Sequence, residues 1–153
     1  MNFHAPQRER LVVVGNGMAG MRTVEELLKR APQRYDVTVF GAEPHVNYDR
    51  ILLSSVLAGE KALAEIVIHP SSWYEERGIR LLAGDAVVAI DRQAQTVTAA
   101  SGRVAAYDRL LLATGSRPLV PPIAGLDLPG ICTFRDIADV ETMIAAAASH
   151  RRA

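Results

Sequence analysis

Leu11-Val12-Val13-Val14-Gly15-Asn16-Gly17-Met18-Ala19-Gly20 joins an apolar run to the spacing G-x-G-x-x-G, and a helical pattern follows at once. Each glycine of this stretch answers a physical demand. Gly15 permits a tight strand-to-helix turn. Gly17 lets backbone N–H groups approach a pyrophosphate, and Gly20 lets the helix pack closely on the strand. A phosphate placed there would meet the positive end of the helix dipole. The stretch therefore predicts a dinucleotide site built from Gly15, Asn16, Gly17, Met18, Ala19 and Gly20. It leaves open which dinucleotide is held.

Working outward, Met18, Met21, Val24 and Leu28 fall at helical spacing, with Leu27 beside them. Arg22, Glu25, Glu26, Lys29 and Arg30 occupy the other face, and Pro32 closes the helix. Val37, Val39 and Phe40 give the second strand of a β-α-β unit, whose crossover suits parallel strands. Gly41 to Ser55 reads as a loop, followed by a short helical stretch near Val56 and Leu57. Ser72 and Glu75 suggest a capping box for a helix through Trp73 and Tyr74 that stops at Gly78. The period then changes. Ile79 to Ala83, Ala86 to Asp91, Thr96 to Ala99 and Val104 to Tyr107 are separated by turn residues and read as a small antiparallel meander. Leu110 to Ala113 reads as a buried parallel strand ending at Thr114-Gly115. A proline- and glycine-rich connection leads to a last helix from Asp136 to Ser149.

Composition narrows the function classes. The chain has 153 residues, 49% apolar and 22% charged, which suits one globular domain. With 17 basic and 17 acidic side chains it has no net charge, and nothing indicates a nucleic-acid binder. No segment reads as a secretory signal or a membrane span, so the expected location is cytoplasmic. Cys132 is the single cysteine and reads as a small buried hydrophobe, which excludes an internal disulfide and a C-x-x-C redox pair. His4, His45, His69 and His150 show no metal spacing and read as surface or loop histidines. Ser54 lacks the His and Asp partners of hydrolase chemistry. No side chain reads as a general acid, a general base or a nucleophile.

Glu43 stands 23 residues beyond Gly20, near the distance at which an acid often binds ribose hydroxyls. The alternative reading is a solvated loop carboxylate, and the position directly after the strand is Gly41. The order of glycine loop, meander and Ala113-Thr114-Gly115 resembles the FAD-binding half of the two-dinucleotide flavoprotein reductases, the pyridine nucleotide–disulfide oxidoreductase superfamily. On its own that turn is also a plain strand end. The resemblance implies that it passes close to the flavin's phosphate and ribityl region. His45-Val46-Asn47-Tyr48-Asp49-Arg50-Ile51-Leu52-Leu53-Ser54 looks like the loop beside FAD in ferredoxin- and rubredoxin-reductase-like members. An arginine there can neutralise diphosphate charge with its fork, or pair with a surface carboxylate. Ser54 can donate a hydrogen bond. Gly41-Ala42-Glu43-Pro44, with Tyr48-Asp49-Arg50 and Leu53-Ser54, is most similar to the large-subunit branch of NAD(P)H-dependent assimilatory nitrite reductases.

The resemblance implies a fold class and a division of the chain. The expected fold is α/β, a Rossmann-like FAD-binding domain with a parallel sheet and helices plus an inserted antiparallel meander, incomplete relative to the family. Residues 1–10 form a tail, 11–135 the partial FAD-binding domain, and 136–153 a helical connection toward an NAD(P)-binding domain absent from this sequence. Adenine would meet backbone at Val87. Many relatives carry an acid in place of Gly41 and a lysine in place of Ser55, so ribose binding shifts to Glu43 or to main chain. Arg117, just past the turn, faces either flavin or solvent. The family's reaction carries electrons from NAD(P)H through FAD to an acceptor centre, which in nitrite reductases means an iron–sulfur cluster and sirohaem in other regions. The alternatives are a ferredoxin-, rubredoxin- or dioxygenase-linked reductase, or a standalone nucleotide-binding module without redox activity. The implied partners are FAD and a second chain or self-association completing the domain, with weak flavin retention and slow NAD(P)H turnover by this chain alone.

Overall fold

The computed structural model describes residues 8–126 and 128–149, and the chain divides into two units. The first comprises the residues up to Tyr48 together with Ile68–Gly115. The second comprises Asp49–Val67 and the residues from Ser116 onward. His4 and His150 lie outside the described residues, as do most of the expected tail and the last residues of the expected connection.

In the first unit, β1 (Glu9–Val14) leads through the glycine loop into α1 (Met18–Arg30), and β2 (Tyr35–Gly41) returns parallel to β1. The strand begins two residues before its apolar run, because Glu9 and Arg10 continue the ladder opposite Tyr35 and Asp36. β3 (Asn47–Tyr48) and β4 (Val67–His69) form a two-stranded ladder, and α3 (Ser71–Glu76) precedes β5 (Arg80–Ala83). The chain then forms β6 (Val87–Asp91), β7 (Thr96–Ala99), β8 (Val104–Ala106) and β9 (Arg109–Leu112). The main sheet has the order β5-β2-β1-β9, with every neighbouring pair parallel. Numbered by position among the parallel strands, that order is 3-2-1-4, the nucleotide-binding arrangement in which the chain reverses direction beside the first strand.

Two expectations change here. The stretch Ile79–Ala83 does not open the meander: β5 pairs with β2, Leu81 opposite Val39 and Leu82 opposite Phe40. The meander therefore has three strands, β6-β7-β8, both pairs antiparallel. A short apolar run serves either sheet equally well, and only its non-local partner decides. The strand at Leu110 is parallel, as expected, but lies at the sheet edge, and Leu112 is 58% exposed.

Every residue from Leu11 to Val14 is buried, because this strand is covered on both faces. Alternation splits the four between two clusters. Leu11 and Val13 pack with Met21 and Val24 of α1, Val37, Val39, Tyr74 and Ile79. Val12 and Val14 pack with Phe40 and with Val97, Ala99 and Tyr107 of the meander. The layers are thus helices, parallel sheet and meander. Full burial of each such aliphatic side chain contributes about 1.5–3 kcal/mol.

The α1 surface carries Arg22 paired with Glu25 and Glu26, and Lys29 paired with the same two acids. At the opposite end of the sheet from the glycine loop, Arg10 donates to both carboxylate oxygens of Asp108, at 3.0 and 2.7 Å. That fork holds the Asp108 carboxyl far below the usual carboxylate range. It fastens the start of β1 to the residue before β9.

The expected capping box on the third helix is absent. Pro70 precedes the helix, Ser72 is already inside it, and no side chain caps its first turn. Proline suits such a start because it brings no N–H to satisfy. Gly78 closes the segment with φ +63°, as its sequence position suggested.

The second unit holds a single-turn 3-10 helix at Arg50–Leu52, α2 (Leu53–Leu57), a 3-10 turn at Leu63–Ile66 and α4 (Ile137–Ser149). The stretch expected as a loop up to Ser55 thus contains β3 and most of α2. Asp49 explains the early start, since its carboxylate accepts from Ile51 N at 2.9 Å. Leu53, Val56 and Ile66 are buried, as are Ile137 and Val140 of α4. Asp136 and Asp139 cap α4 reciprocally, each accepting from the other's backbone N–H, at 3.0 and 3.4 Å. Cys132 is exposed rather than buried, because the connection around it forms no regular structure to cover it.

Candidate functional site

The C-terminal ends of β1 and β9 meet at the point where strand order reverses. There Gly15 lies against the turn Ala113-Thr114-Gly115. A Cβ on Gly15 would stand 2.1 Å from the Ala113 carbonyl oxygen, and the residue has φ +115°. Glycine is therefore obligatory on two independent grounds, contact and backbone conformation. Ala113 N donates to Val14 O, and Gly15 N donates to Phe40 O, both at 2.8 Å, so strands on each side anchor the turn. Gly20 is less tightly enclosed, with its Cβ position 2.9 Å from Ala113 Cβ and 3.0 Å from Gly15 O.

Gly17 is different. Nothing lies within 4 Å of its Cβ position. It is the residue before α1, its backbone is extended, no side chain caps the helix, and no acid stands in the first turn. The first-turn N–H groups of Met18, Ala19 and Gly20 have no partner inside the helix. Open space, unsatisfied donors and an unneutralised dipole together form a cradle for a diphosphate. The residues present fit a dinucleotide.

Asn16 does not face that space as a ligand. Its Nδ2 donates to His45 O at 3.1 Å, its Oδ1 accepts from the Tyr74 hydroxyl at 2.8 Å, and its backbone O accepts from Asn47 Nδ2 at 3.0 Å. Asn47 N in turn donates to the Tyr74 oxygen at 3.3 Å. Asn47 and Tyr74 are buried, at 1% and 2% exposure. From sequence, Tyr74 is placed only within a helix and Asn47 is given no task of its own. The amino-acid order carries no signal for these ties, whose bonds span 58 and 31 residues of sequence.

Burial pushes the Tyr74 phenol up to about 12, with its two hydrogen bonds opposing the shift. A phenol raised in the folded state stabilises the fold fully below the unfolded value near 10, and that stability is lost as pH rises toward 12. Wild type is therefore expected to lose stability across this window by more than Tyr74→Phe does. Urea melts at several alkaline pH values check this, and parallel losses in the two proteins would show that Tyr74 plays no part.

Glu43 follows β2, half-buried, and accepts from the Tyr48 hydroxyl at 2.6 Å. Gly41 has its Cβ position 3.1 Å from Asn16 Cβ, so a longer side chain there would press on the glycine loop. Val87 opens β6, half-buried beneath the second core cluster. Thr114 and Gly115 are exposed.

Arg50 and Ser54 belong to the second unit. One arm of the Arg50 guanidinium donates to Arg135 O at 2.8 Å, while Ser54 is exposed and donates weakly to Ile51 O at 3.4 Å. Arg117 is exposed. His69, read as a surface residue, is buried and stacks on Trp73 with ring centroids 4.0 Å apart, and Arg77 lies over the same indole. Burial lowers its basicity. Among the described residues no group of His, Cys, Asp and Glu is placed to hold a metal, and no helix is long and apolar enough to cross a membrane.

Known proteins share this arrangement. Residues 9–152 match the family model described as pyridine nucleotide-disulphide oxidoreductase. The chain is 46% identical over 146 residues to nitrite reductase [NAD(P)H] of Bacillus subtilis, covering 95% of this chain and 18% of that protein. It is 45% identical over 138 residues to the assimilatory nitrate reductase electron transfer subunit of the same organism, covering 90% of this chain and again 18% of the relative. The chain thus spans less than a fifth of these relatives' length. Among solved structures, it resembles putidaredoxin reductase in its covalent complex with putidaredoxin. The TM-score is 0.78 at 28% identity, over 90% of this chain and 34% of that one. Strand order, glycine cradle and sequence match agree: the chain belongs to the pyridine nucleotide-disulphide oxidoreductase family.

Proposed function

We propose that these residues are the FAD-binding portion of a flavoprotein oxidoreductase that draws electrons from NAD(P)H and delivers them to an acceptor centre, of the nitrite reductase type. The observation that carries this reading is the seating of the Ala113-Thr114-Gly115 turn against Gly15 beside an open, uncapped helix N-terminus. The likeness to nitrite reductase and to a nitrate reductase electron transfer subunit supports the electron-transfer role.

The Gly15–Gly20 loop and the first turn of α1 would hold the diphosphate, Glu43 the ribose, backbone at Val87 the adenine, and Ala113–Gly115 the phosphate and ribityl chain. Arg50 and Ser54 would add positive charge and a hydrogen-bond donor. FAD, when bound, supplies the redox chemistry, and the protein's task is to bind and orient it. On this reading residues 11–135 form the FAD-binding domain, and 136–153 lead toward a nicotinamide-binding domain. Any iron–sulfur and sirohaem centres would lie in other parts of a longer protein or in a partner chain. The likeness to putidaredoxin reductase favours a second reading, a reductase serving a small iron–sulfur protein. Electron delivery to nitrite or to a ferredoxin by the longest natural form of the protein separates the two.

The direct test is titration of the purified chain with FAD, followed by flavin fluorescence. One FAD per chain is expected, displaced by ADP, with NADH binding far more weakly because the meander and the Ala113-Thr114-Gly115 turn beside the glycine loop resemble the FAD-binding half of the family. Preference for NADH, or failure to take up FAD at all, would overturn the reading.

A further inference from the structure

We propose that Asn47 and Tyr74 are positioning residues for the diphosphate, acting through the peptide bond between Asn16 and Gly17; this rests on the dinucleotide reading of the cradle. A trans peptide is planar, and its C=O and N–H point in opposite directions. Asn47 Nδ2 holds the Asn16 carbonyl oxygen at 3.0 Å and thereby fixes the direction of the Gly17 N–H on the other side of the same plane. That N–H belongs to the residue beside which no protein atom lies within 4 Å of the Cβ position. A buried amide inside the core thus sets the direction of a backbone donor that has no hydrogen-bond partner among the described residues.

Tyr74 completes the device. Its hydroxyl donates to Asn16 Oδ1 and accepts from Asn47 N, so one oxygen ties the glycine loop to the strand that carries Asn47. Asn16 Nδ2 closes a further link to His45 O. With its side chain held at both ends and its carbonyl held by Asn47, Asn16 cannot rotate its peptide plane without breaking buried hydrogen bonds. Each such loss leaves a polar group unpaired in a desolvated place. The glycine on either side would otherwise leave this plane free to turn. The residue type at position 16 is therefore explained by what locks the loop, not by contact with ligand.

The experiment compares wild type with Asn47→Leu, which keeps the branched heavy-atom skeleton and deletes the donor, and with Tyr74→Phe, which removes only the hydroxyl. Two quantities are read. The first is the Gly17 N–H residual dipolar coupling in the unliganded protein, which reports the direction of that bond. The second is the dissociation constant for FAD. The expected result is a changed Gly17 coupling in Asn47→Leu, with couplings elsewhere in α1 preserved, and affinity weakened roughly tenfold, the size of one lost charge-assisted hydrogen bond. Tyr74→Phe is expected to act in the same direction and more weakly, and it decides the matter if Asn47→Leu does not fold. Unchanged Gly17 couplings in the folded variants would overturn the proposal, as would unchanged FAD affinity when wild type binds. Should wild type take up no FAD, the functional reading falls, while the coupling still reports on the positioning device.

Discussion

Replacing Gly15 by alanine is expected to lower folding stability by about 3 kcal/mol and to abolish FAD retention, because the new methyl collides with backbone rather than with a side chain. The Cβ would lie 2.1 Å from the Ala113 oxygen and 2.6 Å from its carbonyl carbon. Relief requires β1 and β9 to separate or the Ala113 peptide to rotate. Rotating that carbonyl would turn the Ala113–Thr114 peptide plane and so displace the Ala113-Thr114-Gly115 turn itself. The positive φ adds strain that an alanine at an ordinary backbone position would not bear. For a chain of this size the loss corresponds to a fall in melting temperature of about 10 °C. Thermal denaturation followed by circular dichroism measures it. A variant melting with wild type would mean that the turn at Ala113 is not seated where the structure places it.

Gly17→Ala is expected to behave in the opposite manner. Its φ of −83° is open to any residue, and its Cβ position meets no protein atom, so the fold should lose less than about 1 kcal/mol. The added methyl occupies the space the diphosphate needs and holds it away from the helix N-terminus. Loss of two charge-assisted contacts weakens FAD by on the order of a hundredfold. Equilibrium titration with flavin fluorescence, alongside a melting curve, separates the two effects. Wild-type affinity in Gly17→Ala would place the phosphates elsewhere. The contrast is informative because the two glycines are separated by one residue and answer different demands, one internal to the fold and one directed at ligand.

That distinction was only partly legible in the amino-acid order. Strand, glycine loop and helix could be read from Leu11 to Arg30 because every determinant is local: burial of consecutive residues, helical spacing, and a proline after the helix end. The parallel pairing of β1 with β2 followed from the short crossover. The assignment of Arg80–Ala83 did not, since so short a strand has the same composition in a meander as in a sheet edge, and its partner lies some forty residues away. Within the candidate site, the glycine loop was legible because glycine spacing is itself the signal. The tie from Tyr74 and Asn47 to Asn16 was not, because hydrogen bonds between distant side chains leave no periodicity. His69 illustrates the same limit: its burial comes from stacking on Trp73, four residues along, and composition alone suggested the surface. Cys132 erred the other way, its apolar neighbours suggesting a core that the irregular connection does not form.

The uncapped start of α1 has a consequence for the economy of the whole fold. A serine or aspartate before the helix would secure its first turn permanently, worth about 1 kcal/mol, and would also close the cradle. Here that turn is left for a visiting molecule to finish. A dinucleotide bound there acts as the missing part of the helix, so folding and cofactor supply become one linked equilibrium. At a hundred times its dissociation constant such a ligand stabilises the native chain by about 2.7 kcal/mol. A chain supplied with its cofactor would then outlast one left without it.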